Sequence, residues 1–90
     1  MSDKQWCCYI LECQDDSLYT GMTNDIERRM AAHTAGTGSK YVRQKGFSRL
    51  LHVIKAVDKV DAAKMEYRIK QLERNEKITF FINHPNRIIP

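Results

Sequence analysis

The chain reads as an α+β domain, a small antiparallel sheet flanked by helices. Three observations predict this. A near-continuous apolar run and a second β-rich run are separated by four polar residues, the pattern of a hairpin. Apolar residues recur at helical spacing in the last third of the chain. Ninety residues leave room for one core, so both patterns must share it.

The first strand is predicted over Trp6–Cys13, which is apolar almost without alternation, as in a strand covered on both faces. Gln14 to Ser17 form a polar turn, and Leu18–Gly21 resumes the β character antiparallel to the first run. Asn24 stands three residues before Glu27, a capping-box spacing that predicts a helix to about Ala35, ended by Gly36 and Gly38. The Gly36–Lys40 stretch is predicted as a loop, and no element is assigned from there to Gly46. Leu51, Val53, Ile54 and Val57 predict a third strand over Leu50–Val57. Asp58 can cap a second helix through about Arg74, with Ala62, Met65, Ile69 and Leu72 along one stripe. A final helix is predicted over Glu76–Asn83, stopping before Pro85. The order is β-β-α-β-α-α, with a three-stranded sheet in a single domain spanning residues 1–90.

Composition narrows the function classes. With 42% hydrophobic and 29% charged residues the chain is too apolar to be disordered, and its apolar runs are far shorter than the roughly 20 residues of a membrane helix. Met1 to Gln5 carries Asp3 and Lys4 and leads into Trp6–Leu11 without a small-residue cleavage site, so no secretory signal is expected and the chain reads as cytoplasmic. Cys7, Cys8 and Cys13 are an odd count on one strand, unsuited to a disulfide framework or to zinc, and read as buried small hydrophobes.

Charge is unevenly distributed. From Arg28 to Val57 there are seven basic residues and no Asp or Glu, so this window carries +7 in a chain of net charge +4 and the remainder is −3. Such a segment suits a polyanion, because each neutralised phosphate releases counterions; a solvated basic surface is the competing account. Tyr41 and Phe47 lie among these charges, as stacking or core residues.

Candidate chemistry sits next to the core. Arg29 and His33 are four apart on the shoulder of the first helix's Ile26/Met30 stripe. Glu66 lies at the edge of the second helix's stripe, where a carboxylate needs a partner or a ligand. Tyr9 and Tyr19 stand on paired strands. Periodicity alone favours a structural Arg29–Glu66 ion pair, a satisfied histidine and core tyrosines over a reactive site.

The wording of the motif is more specific. Cys7-Cys8-Tyr9 followed by Ile10-Leu11, then Tyr19-Thr20-Gly21, with Arg29 and His33 ten and fourteen residues after the second tyrosine, resembles the GIY-YIG nuclease domain. Gly36 to Arg43 and Glu66 to Leu72 resemble its small stand-alone bacterial branch, the YhbQ-like proteins, and the resemblance covers about residues 6–80. One departure is Cys7-Cys8 in place of the usual Gly-Ile. A second concerns the Asn that the family often carries after its metal-binding Glu: Asn75 and Asn83 are the residues available.

The resemblance implies metal-dependent hydrolysis of DNA phosphodiester bonds, structure-specific or repair-related, by a monomer using one Mg²⁺ or Mn²⁺ ion and no small-molecule cofactor. It makes Glu66 the protein ligand of that ion, Arg29 the clamp on the scissile phosphate, Tyr19 the acceptor of the water's proton, directly or through His33, and Tyr9 a group orienting that water. His33 is the alternative base. Arg28, Lys40, Arg43 and Lys45 become candidate DNA contacts. The alternative is a nucleic-acid-binding module of the same fold, weakly active or reliant on an accessory protein.

Overall fold

A computed structural model describes residues 5–88; the N-terminal reading over Met1–Lys4 lies outside the described residues. The strands are β1 (Cys7–Cys13), β2 (Leu18–Thr23), β3 (Phe47–Lys55) and β4 (Arg87–Ile88), and the helices are α1 (Ile26–Ala35), α2 (Lys40–Lys45), α3 (Lys59–Lys70) and α4 (Arg74–Asn83). The sheet is antiparallel in the order β2-β1-β3-β4, so β1 is central. The α+β class and the antiparallel sheet are as the sequence predicts.

Alternation along β1 divides the core in two. Cys8 and Ile10 face one side, where they pack with Ile54, Ala62, Met65, Ile69 and Phe81 beneath α3 and α4. Cys7, Tyr9, Leu11 and Cys13 face the other side, with Val42 and Val53 and the inner residues of α1, Ile26 and Met30. The layers are helix, sheet, helix. All three cysteines are free and buried, and burial pushes the Cys7 thiol up to about 11 and Cys8 to about 12, so they behave as apolar packing.

Several predicted boundaries change. The sheet has four strands rather than three, because Arg87–Ile88 returns beside β3 after Pro85 in a two-residue pairing too short to leave a periodic signal. The unassigned basic segment is a helix, α2: the Ser39 side chain accepts from the Val42 amide and Gly46, at φ 84°, closes the other end. The cap of α1 is Asp25, whose carboxylate accepts from the Arg28 amide, rather than Asn24. β2 runs on to Thr23, and β3 begins at Phe47 and ends at Lys55. Asp58 caps α3 as expected, but the helix stops at Lys70, and Leu72 falls in the turn before α4.

Candidate active site

The hairpin register brings the two tyrosines together. Tyr9 pairs with Gly21 and Leu11 pairs with Tyr19, so Tyr9 and Tyr19 are diagonal neighbours on one face, with ring centroids 6.4 Å apart. The Tyr9 ring leans across the strand onto Gly21: a Cβ there would lie 2.5 Å from the Tyr9 Cζ, with Oη nearer still. The absence of a side chain at Gly21 therefore makes the seat in which Tyr9 lies.

α1 delivers the other two groups from above. The Asp25 cap fixes its start, and Arg29 and His33 descend on adjacent turns. His33 is buried, and its Nε2 lies 2.9 Å from the Tyr9 hydroxyl. Its ring meets the edges of Tyr9 and Tyr19, at 5.8 and 5.6 Å, and stacks on Phe47 at 6.3 Å. Gly38 closes the cage: a Cβ there would lie 2.6 Å from the His33 Nδ1, and its carbonyl accepts from the Arg29 Nη1 at 3.3 Å. One loop residue thus holds both side chains in place.

Burial, and secondarily the Arg29 guanidinium, lower the His33 pKa, so the imidazole is neutral at pH 7. Its Nδ1 has no hydrogen-bond partner among the described residues. Burial, with a smaller contribution from Tyr19, raises the Tyr9 pKa, and this phenol remains protonated. Tyr19 is half-buried and stacks on Tyr41 of α2, with centroids 5.8 Å apart. Of the two tyrosines only Tyr19 has substantial contact with solvent.

Glu66 comes from α3, which packs over β2 on the other face of the sheet. Its side chain is a quarter exposed, and its ionic partner, Lys70, is at a loose 3.8 Å. The Arg29–Glu66 ion pair does not form: Arg29 binds the Gly38 carbonyl instead. The negative charge of Glu66 nonetheless contributes to the raised pKa of Tyr9, so the two are electrically coupled. Among the described residues no three His, Cys, Asp or Glu side chains group into a chelating site. A single, partly exposed carboxylate with a weak internal partner fits a hard divalent cation that keeps water and takes a phosphate oxygen. Asn75 and Asn83 stand exposed at the two ends of α4, and neither hydrogen-bonds to Tyr9, Tyr19, Arg29 or His33 among the described residues.

Arg29 also lines the first of two clefts that carry basic side chains. One of 510 Å³ is lined by Arg28 and Arg29 with Asn24, Asp25, Thr37 and Gly38; a second of 330 Å³ is lined by Lys40 and Arg43 with Gly36, Thr37 and Ser39. Thr37 lines both clefts. Lys45 is set apart, paired with Asp15 at 3.3 Å and over the Tyr41 ring at 5.9 Å.

The sequence of the GIY-YIG catalytic domain matches residues 5–79. The chain belongs to the GIY-YIG family. The UPF0213 protein OB0043 of Oceanobacillus iheyensis is 50% identical over 76 residues, covering 84% of this chain and 88% of that one. A UPF0213 protein of Yersinia enterocolitica is 40% identical over 99% of this chain and 92% of its own. The solution NMR structure of the UPF0213 protein BH0048 from Bacillus halodurans superposes with a TM-score of 0.53 at 41% identity, covering 84% of this chain and 81% of that one. These UPF0213 relatives are consistent with the small stand-alone GIY-YIG protein expected from the motif, and the GIY-YIG match implies a nuclease family.

Two features of this cluster escaped the sequence. Gly38, which reads as a helix terminator, is the seat of His33 and Arg29, and Tyr41 backs Tyr19. The Ser39…Gly46 bracket was the available signal for α2 and hence for Tyr41.

Proposed function

We propose that this protein is a metal-dependent DNA endonuclease acting on branched, nicked or otherwise non-canonical duplexes, in the reducing cytoplasm that suits its three buried thiols. The observation that carries this reading is the convergence of β1, β2, α1 and the Gly38 loop, which brings Tyr9, Tyr19 and His33 together and fixes Arg29, a wall of a basic cleft, through the same Gly38.

Arg29 faces the cleft and holds the scissile phosphate, offsetting the charge that grows on it during attack. Tyr19, the more exposed phenol, would take the proton of the attacking water in its ionised form while the P–O bond to the leaving strand breaks and the leaving oxygen is protonated from solvent. Tyr9 is buried, and its hydroxyl is engaged by His33 rather than by solvent. We therefore assign Tyr9 a positioning role: it holds a neutral imidazole that packs edge-to-face with Tyr19. Glu66 would hold the divalent cation. When bound, that ion supplies Lewis-acid stabilisation of the phosphate and favours ionisation of nearby water and phenol. Arg28, Lys40 and Arg43 track the DNA backbone without reading bases, which suits recognition of DNA shape over sequence.

The test is cleavage of end-labelled duplex, single-stranded, nicked and branched DNA with and without Mg²⁺, beside folded Glu66→Gln and Arg29→Ala proteins. Metal-dependent cutting lost in both variants is expected. Binding of every substrate without cutting would replace the enzyme by a binding module that needs a partner.

A further inference from the structure

The solvent face of α3 is unusual for so small a domain. Val60 and Tyr67, two helical turns apart, are 62% and 69% exposed, and Val57, just before the helix, is 86% exposed. With Ala63 between them, Val60 and Tyr67 line a shallow groove of 620 Å³. It lies on the side of the helix opposite the buried Ala62, Met65 and Ile69 stripe, so the fold gives it nothing to cover.

The rim is positive. Lys59, Lys64 and Arg68 border the groove, and Lys64 and Arg68 form no ion pair among the described residues. The two acids of α3 are engaged elsewhere: Asp61 accepts from the Val57 amide at 2.8 Å, and Glu66 faces Lys70. An apolar stripe with an uncompensated cationic border selects its occupant by charge. A second copy seated face to face would set the same lysines and arginine against themselves. DNA would engage the cationic rim but leave the valine, alanine and tyrosine floor uncovered, whereas an acidic amphipathic helix covers both.

We propose that the outer face of α3 docks an acidic amphipathic helix of a partner protein, its apolar residues on Val60, Ala63 and Tyr67 and its carboxylates on Lys64 and Arg68. This inference stands independently of the nuclease reading, since no active-site side chain lines the docking face. Helix-in-groove recognition of this kind is read through anchors at i, i+3 or i+4, and i+7, the spacing that Val60, Ala63 and Tyr67 present.

The experiment titrates the isotopically labelled full chain with a synthetic helix of about 14 residues, Leu along one stripe and Glu elsewhere, and follows backbone amides by NMR. Saturable shifts confined to residues 57–68 are expected, weakened at least about tenfold in Val60→Ser/Tyr67→Ser and in Lys64→Glu/Arg68→Glu, and weakened similarly when Lys replaces Glu in the peptide. These substitutions are at exposed positions, and an unchanged amide spectrum outside α3 verifies the fold. Shifts that are absent, that lie elsewhere, or that are indifferent to the variants and to the peptide's charge overturn the proposal. So does a duplex DNA that shifts the same amides, or a concentration-dependent dimer abolished by Val60→Ser/Tyr67→Ser, because either names a different occupant.

Discussion

Gly21→Ala is the sharpest probe of how the tyrosines are seated. Gly21 is not among the glycines with positive φ, so its backbone accepts alanine, and removing unfolded-state freedom should stabilise the chain by about 0.4–1 kcal/mol. Against this, the new Cβ would lie 2.5 Å from the Tyr9 Cζ and 3.0 Å from Cε2. Tyr9 is 1% exposed and held by His33, so the ring has nowhere to swing. Overpacking costs about 1–3 kcal/mol, and a contact this short belongs in the upper half of that range, so the entropic gain is outweighed and a net loss of about 1–2.5 kcal/mol remains. For a domain of this size that is a fall in Tm of about 5–15 °C by calorimetry. Replacing Tyr9 by leucine removes the obstacle, so the loss from Gly21→Ala should shrink in a Tyr9→Leu background. A Gly21→Ala protein as stable as the parent, or equal losses in both backgrounds, would refute the packing of Tyr9 on this strand.

Three further outcomes follow from the site. Tyr9→Phe leaves His33 without a partner at either ring nitrogen, and should lower stability by about 1–3 kcal/mol in denaturant melts and slow cleavage by about 10²-fold; wild-type values for both would remove Tyr9 from the site. His33 and His52 both have lowered pKa values, chiefly through burial and then through Arg29 and Arg87 respectively, so the unfolded chain binds protons first as pH falls. Their contribution is complete above the unfolded value near 6.5 and declines below it until the folded histidines also protonate, with a slope of at most about 1.4 kcal/mol per pH unit for each; urea midpoints that rise between pH 7 and 5.5 would contradict this. Lys40→Ala and Arg43→Ala should each weaken DNA binding across all sequences and flatten the slope of log K against log salt by about one; an unchanged slope would move the DNA path off the second cleft.

The regular elements were legible where a local rule sufficed. The unbroken apolar run of β1 announced a central strand because both of its faces are covered, and the Ala62/Met65/Ile69 stripe and the Asp58 cap marked α3 because burial of a helix recurs every three to four residues. The motif spacing placed Tyr9, Tyr19, Arg29, His33 and Glu66 on the hairpin, α1 and α3, where the structure also has them. Only the three-dimensional packing decided what these groups do to one another. Tyr9 and His33 are 24 positions apart, and their hydrogen bond exists because strand register and helix position coincide in space. Glycine has no pattern that distinguishes a helix terminator from a seat for an imidazole, so the role of Gly38 was invisible before the loop folded back. The alternative Arg29–Glu66 ion pair failed for the same reason: charge and periodicity permit it, but the sheet lies between α1 and α3, and the nearer acceptor for Arg29 is a backbone carbonyl.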